Sequence, residues 1–132
     1  MVLTVSESEK ITINVGVVDL GKIDLMVEEG FYATRADFIR TAVRNQLDRH
    51  ENELRQSTSR RSMTIGILVY TRQELEAIKE KGERLNVSVV GMLIISDDVP
   101  PDLAFDTIES IKVSGILRAS PAVKSALADR IR

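Results

Sequence analysis

The stretch KITINV, residues 10–15, alternates polar with apolar side chains. A period of two predicts a strand with one polar face and one apolar face. The polar positions are Lys10, Thr12 and Asn14. Their side chains suit DNA base edges, since Lys donates to guanine, Asn pairs with adenine through two hydrogen bonds, and Thr offers a hydroxyl and a methyl group. This face is either a DNA-contacting surface or the solvated side of an ordinary strand.

A second candidate site lies at a predicted helix start. The spacing Thr34-x-x-Asp37 resembles a capping box. The residues that follow form an apolar stripe at helical spacing: Phe38, Ile39, Ala42, Val43 and Leu47. A helix start presents backbone N–H groups and the positive end of the helix dipole, both of which suit a phosphate.

The residue types present give little support for a catalytic site or a metal site. His50 is the single histidine and the chain has no cysteine, so no two-histidine zinc site and no thiolate metal site can form within one chain. An acidic stretch contains Asp97, Asp98, Asp102 and Asp106, which we interpret as carboxylates placed favourably near a helix start. We therefore predict no enzymatic activity, no metal site and no cofactor.

Two helices must position the polar strand. Asp19 is predicted to cap the first, whose apolar stripe is Leu20, Ile23, Met26 and Val27, and Gly30 is predicted to end it. The order is then strand, helix, turn, helix. Because a lone strand leaves its backbone groups unpaired, we expect a second copy to supply the partner strand. The result is a two-stranded antiparallel ribbon whose apolar face meets a shared helical core.

This order resembles the ribbon-helix-helix repressors, the Arc, MetJ and CopG group, over about residues 9–50. The resemblance also rests on the helix-ending glycine and on the run GFYATRADFIRTAV. It implies that the outward strand residues contact bases in the major groove, namely Lys10, Thr12 and Asn14. It implies a phosphate contact at Thr34 and Arg35. The dimer core would contain Ile11, Ile13, Val15, Phe38 and Ile39.

The second half contains an internal repeat. Residues 87–103 match residues 111–127 at an offset of 24, with six of 17 positions identical. A fainter copy begins 25 residues before Gly91, at Gly66. Each unit has a β-rich run around a glycine, then a helical stretch introduced by Thr71, by Pro100 or Pro101, or by Ser120. Strands separated by helices are expected to lie parallel. We predict a module of three βα repeats.

Composition sets the remaining bounds. The chain has 132 residues, 43% hydrophobic and 29% charged, with a net charge of −2. This balance excludes DNA binding by bulk positive charge, so any DNA surface must be local. No segment is apolar enough for a membrane helix, and the absence of cysteine fits the cytoplasm.

The predicted fold is α+β, with a ribbon-helix-helix domain over residues 1–56, a linker at 57–62 and the repeat module at 63–132. The predicted function is a sequence-specific DNA-binding transcriptional regulator that acts as a repressor. We expect it to bind double-stranded DNA as a homodimer. Residues 63–132 are expected either to join dimers into a tetramer or larger assembly or to bind a protein partner. Two alternatives stay open. One is an autoregulatory antitoxin, and the other is an oligomerising structural scaffold.

Overall fold

The computed structural model describes residues 8–132. The chain divides into an N-terminal unit, Met1–Glu51, and a C-terminal unit, Asn52–Arg132. Helices α1 (Val17–Glu28) and α2 (Arg35–Arg49) belong to the first unit, and α3 (Glu51–Arg60) begins at the division. The second unit contains a parallel three-stranded sheet, so that the chain as a whole is a mixed helix and strand fold.

Helix α1 starts earlier than its sequence predicts. The helix begins at Val17, with Gly16 as the N-terminal cap residue, so the prediction of Asp19 as the cap is wrong. The amide of Leu20 already donates to the Gly16 carbonyl at 2.9 Å, which closes a full turn before Asp19 could cap it. Asp19 lies in the first turn instead, where its carboxylate still complements the helix dipole.

The end of α1 confirms the predicted glycine stop. Gly30 has a φ of 85°. Its amide donates to the Val27 carbonyl at 3.1 Å, and the Phe31 amide donates to the Met26 carbonyl at 3.0 Å. These two bonds are the Schellman pattern, in which a residue with positive φ satisfies the last carbonyls of a helix. The chain therefore reverses here and leads into α2.

Most of the segment between the predicted domains is helical. Helix α3 covers Glu51–Arg60, so the predicted linker, 57–62, begins inside it. The structure describes α3 in full and gives it no buried residue, which explains why the sequence shows no apolar stripe there. The helix ends at Arg60, and Ser62 in the turn that follows has a φ of 52°. The domain bounds drawn from the sequence stay a prediction.

The C-terminal unit alternates strands and short helices. The strands are β1 (Thr64–Tyr70), β2 (Leu85–Ile95) and β3 (Ile108–Arg118), paired in parallel in the order β1-β2-β3. The helices are α4 (Arg72–Glu80), α5 (Pro101–Thr107) and α6 (Pro121–Ala126), and a short 3-10 helix follows at Ala128–Arg130. Parallel pairing follows from these connections, since each helix carries the chain back to the starting edge of the next strand.

The predicted helix starts of this unit are confirmed. The Thr71 hydroxyl accepts from the Glu74 amide at 3.2 Å, and the Ser120 hydroxyl accepts from the Val123 amide at 3.2 Å. Pro101 is the first residue of α5, where its missing N–H costs no helical hydrogen bond. Local cap chemistry thus sets the start of each helix.

The strand register aligns three glycines. Gly66 pairs with Gly91, and Gly91 pairs with Gly115, so the pairing offsets are the same as those of the sequence similarity. A Cβ added at Gly91 would lie 2.2 Å from the Gly66 carbonyl oxygen, and one added at Gly115 would lie 2.0 Å from the Gly91 carbonyl oxygen. Only glycine allows the strands to approach this closely. We call this row the glycine ladder.

One core holds the C-terminal unit together. Its buried residues come from all three of its helices and from β2 and β3: Leu75, Val87, Val89, Leu93, Ile95, Val99, Leu103, Ala104, Ile108, Ile111, Val123 and Leu127. Leu68 and Tyr70 of β1 pack against them. The helices therefore cover one face of the sheet. Throughout residues 8–132, no helix is both long and apolar enough to cross a membrane.

Candidate nucleic-acid interface

The segment before α1 carries the predicted base-contacting residues. In the single chain, residues 8–16 form no regular secondary structure. A strand needs a neighbour for its backbone groups, and the predicted neighbour belongs to a second chain. The side chains of Lys10, Thr12 and Asn14 are all exposed. The two-stranded ribbon and the base contacts therefore stay predictions.

The same segment lies beside α2. A groove of about 420 Å³ is lined in part by the apolar side chains of Ile11, Ala36, Ile39 and Val43. The rest of its lining is one acidic side chain, Glu9, and three basic ones, Lys10, Arg40 and Arg44. Helical spacing alone does not show that Arg40 and Arg44 lie next to Lys10. The groove thus combines three cations with apolar surface.

The predicted dimer-core residues are largely uncovered in one chain. Ile11 is 79% exposed and Ile13 is 61% exposed. Val15, Phe38 and Ile39 are half-buried. The Phe38 ring meets the Tyr32 ring edge-on, with 4.9 Å between the ring centres. Their assignment to a dimer core stays a prediction.

The N-terminal unit has almost no core of its own. Among its described residues, 8–51, Ile23 is the one buried apolar side chain, and it is still 8% exposed. Many large apolar side chains are exposed: Ile11, Ile13, Val17, Val18, Leu25, Phe31, Val43 and Leu47. Soluble domains bury most such residues, and contiguous exposed apolar surface marks a binding interface.

The start of α2 has the predicted cap geometry. Thr34 Oγ1 accepts from the Asp37 amide at 3.0 Å, and Asp37 Oδ2 accepts from the Ala33 amide at 3.1 Å. The carboxylate thus reaches one residue further back than in the usual capping box. A hydroxyl that accepts one hydrogen bond still has an O–H to donate. Thr34 can therefore cap the helix and donate to a phosphate at the same time.

Arg35 is engaged in the single chain. Its Nε donates to Asp24 Oδ1 at 2.6 Å and its Nη2 donates to Asp24 Oδ2 at 2.8 Å. These bonds lower the pKa of the Asp24 carboxyl and raise the pKa of the Arg35 guanidinium. A phosphate would have to compete with this carboxylate. Asp24 leaves no signal in the sequence, because the pair spans 11 residues across a turn and follows no helical spacing.

The acidic residues of the C-terminal unit do not converge. Asp102 lies in the first turn of α5, and Asp106 pairs with Lys79 at 3.1 Å. Over residues 8–132, no three His, Cys, Asp or Glu side chains form a group that could hold a metal ion. The expectation that the protein uses no metal stays a prediction.

Comparison with known proteins gives one match. The model of the Ribbon-Helix-Helix transcriptional regulator family matches residues 6–124. The match covers the groove, the start of α2 and nearly all of the parallel sheet unit. Neither the curated proteins nor the solved structures contain a match to the chain.

Proposed function

Because the chain belongs to the Ribbon-Helix-Helix transcriptional regulator family, whose members bind DNA, we propose that it is a repressor that binds the major groove as a homodimer. In this proposal, residues 10–15 of two copies pair as an antiparallel ribbon. Lys10, Thr12 and Asn14 of each copy contact base edges. The protein acts on DNA in the cytoplasm, without a catalytic step and without a cofactor.

The exposed apolar surface of the N-terminal unit carries the proposal. A unit in which Ile23 is the one buried apolar side chain among residues 8–51 is too poorly packed to be stable alone. Pairing of two copies covers Ile11 and Ile13 and gives the strand its missing hydrogen bonds. Such a partner would add apolar contacts at the groove beside α2, whose lining includes Ile39 and Val43.

Local positive charge supports the DNA contact. Lys10, Arg40 and Arg44 line one groove with a single acidic residue, Glu9, although the chain as a whole has a net charge of −2. Arg35 and the Thr34 hydroxyl lie at the start of α2, where the helix dipole favours an anion. In this arrangement, phosphate contacts orient the protein and the ribbon supplies sequence specificity.

We propose that the C-terminal unit is a three-unit βα repeat that serves assembly of the regulator. The core of this unit is formed by its own helices and strands. A toxin-neutralising tail that folds only on its partner would lack such a core. This observation favours the regulator over the antitoxin alternative.

Selection of bound sequences from random DNA, followed by footprinting, tests the proposal. We expect one preferred site with two related halves. The Lys10→Ala/Thr12→Ala/Asn14→Ala variant should lose this preference while remaining folded by circular dichroism. Lys112→Ala is a suitable control, because it removes an exposed strand lysine outside the interface. Unchanged site preference in the triple variant would reject the ribbon as the sequence-specific element.

A further inference from the structure

The sheet of the C-terminal unit protects one of its two edges. At β3, Ile131 bridges Ile111, and the Arg132 amide donates to the Ile111 carbonyl at 2.8 Å. Arg130 holds this tail in place, since its guanidinium donates to the Ile108 carbonyl at 2.8 Å. At the other end of the sheet, β1 pairs with β2 alone within residues 8–132. The outer edge of β1 therefore keeps its backbone groups available for another strand.

The composition of β1 offers no protection against pairing. The strand, TIGILVY, contains no charged residue and no proline, the usual devices that keep an edge strand from pairing. Its outward side chains are apolar, with Ile65 64% exposed, Ile67 43% exposed and Val69 42% exposed. The contrast with β3 is internal to the same sheet. Arg118 of β3 pairs with Ile94, which pairs with Val69 of β1 on its other side, and β3 also contains Glu109 and Lys112.

The apolar side chains on the second face of β1 continue onto β2. Ile67 pairs in register with Met92, and Val69 pairs with Ile94. Met92 and Ile94 are each 5% exposed, yet they lie outside the core cluster that the helices cover. The second face of the sheet is therefore apolar from its centre to the β1 edge.

The glycine ladder also extends to this edge. Gly66 has a φ of 139°, close to the 135° of Gly91 and the 130° of Gly115. A Cβ added at Gly91 or at Gly115 would clash with the carbonyl oxygen of the paired glycine in the preceding strand. At Gly66, an added Cβ would meet no described atom within 4 Å. The edge of β1 therefore has the backbone shape that admits a closely approaching strand.

We propose that this edge pairs with β1 of a second copy of the chain, so that two C-terminal units form one six-stranded sheet. Pairing of β1 with β3 of another copy would require the tail at Ile131 to be displaced. A two-fold contact between identical edges is closed, whereas a head-to-tail contact would grow without limit. Two copies of an uncharged strand meet without repulsion. The two β1 strands run antiparallel across the two-fold axis.

Sedimentation of the full chain tests the inference. The test rests on the proposed ribbon dimer in one respect, because the β1 variants are compared in a chain whose ribbon has been disabled. Ile13→Glu disables the ribbon, and Ile67→Lys places a charge at the β1 edge. At high micromolar concentration, the Ile13→Glu variant should sediment as a dimer. The Ile13→Glu/Ile67→Lys variant should sediment as a monomer. Ser114→Lys is the matched control, because it adds the same charge to the exposed part of β3. In the Ile13→Glu background it should leave the dimer intact.

A second position guards against a folding defect. Val69→Lys repeats the test at a side chain with nearly the same exposure as Ile67. Circular dichroism should show the same secondary structure in all variants. A dimer that persists in both double variants would overturn the inference, because association would then lie elsewhere.

The single variants separate this inference from the proposed function. If Ile13→Glu alone is a monomer, the β1 interface is wrong while the ribbon dimer stands. If Ile67→Lys alone is a monomer, the β1 interface is supported and the ribbon dimer fails. Binding to the selected DNA site, measured on the same samples, reports on the ribbon independently of mass.

Discussion

Arg35 and Asp24 join the two helices of the N-terminal unit through two parallel hydrogen bonds, at 2.6 and 2.8 Å. Two-pronged pairing of this kind matches the planar guanidinium to a carboxylate, and a phosphate offers the same geometry. The residue proposed to hold DNA is therefore held by a carboxylate when DNA is absent. Asp24 is then a competitor whose removal can be tested.

Asp24→Asn should increase DNA affinity a few-fold. The increase should be equal for specific and non-specific DNA, because phosphate contacts carry no sequence information. Asp48→Asn removes the same charge from the same unit at an exposed position outside this pair, and therefore controls for net charge. Fluorescence anisotropy with labelled duplexes measures both. An Asp24→Asn affinity equal to that of the control would show that Arg35 does not contact phosphate.

The effect of Asp24→Asn should not depend on pH near neutrality. Hydrogen bonds from Arg35 lower the pKa of the Asp24 carboxyl below its ordinary value of 3.8. A lowered folded pKa stabilises the pair above the unfolded pKa, and that contribution is lost as the pH falls through the folded pKa. The ratio of variant to wild-type affinity should thus stay constant between about pH 6 and pH 8. A ratio that changes in this range would implicate another titrating group.

Lys10 and Asn14 should have different effects on DNA binding. Asn14→Ala should lose discrimination at one base position by about 1 to 3 kcal/mol if the contact is two-pronged. Lys10→Ala should reduce affinity and weaken its salt dependence, because a cation is removed from the DNA surface. Competition binding with single-base variants of the selected site, at several salt concentrations, separates the two. Equal loss on every base variant for Asn14→Ala would rule out a base contact.

Ile13→Glu should prevent ribbon dimerisation, whereas Thr12→Glu should not. In the proposed ribbon, Ile13 enters the shared core and Thr12 faces DNA. A carboxylate at Ile13 would be buried without a partner in both copies, which is strongly unfavourable. The Ile13→Glu and Thr12→Glu substitutions are each combined with Ile67→Lys and compared by sedimentation, so that the β1 edge does not contribute to dimerisation. A dimer that survives Ile13→Glu there would contradict the intertwined ribbon.

Gly115→Ala should destabilise the C-terminal unit by at least about 1 to 3 kcal/mol from the backbone conformation alone. The new Cβ would also lie 2.0 Å from the Gly91 carbonyl oxygen, a backbone atom that cannot move without breaking the strand pairing. Ser114→Ala, at the preceding exposed residue, should be nearly neutral. Denaturant unfolding monitored by circular dichroism compares them. Equal midpoints would show that the ladder tolerates a side chain.

Local features of the fold could be predicted from the sequence. Thr34, Thr71 and Ser120 accept hydrogen bonds from amides three residues later, and Gly30 ends α1. Such interactions depend on a few consecutive residues. The sequence offset of 24 is also the pairing offset of β2 and β3, because positions that repeat in sequence occupy equivalent places in adjacent strands. Six of the twelve residues at the identical positions are buried core side chains, namely Val89, Leu93, Val99, Leu103, Val123 and Leu127, and Val113 and Leu117 pack against them.

Contacts between distant residues were decided by the tertiary structure. The Arg35–Asp24 pair and the covering of the β3 edge by Ile131 follow from no periodic pattern, since each joins residues brought together by chain reversal. Helix α1 begins at Val17, earlier than predicted, because Gly16 is its cap residue and makes no side-chain hydrogen bond. A cap of this kind leaves no residue type by which the helix start could be recognised in the sequence. The sequence marks Gly66 as the start of a repeat unit. Only strand pairing shows that it lies at the sheet edge, because the free edge depends on which strands find neighbours.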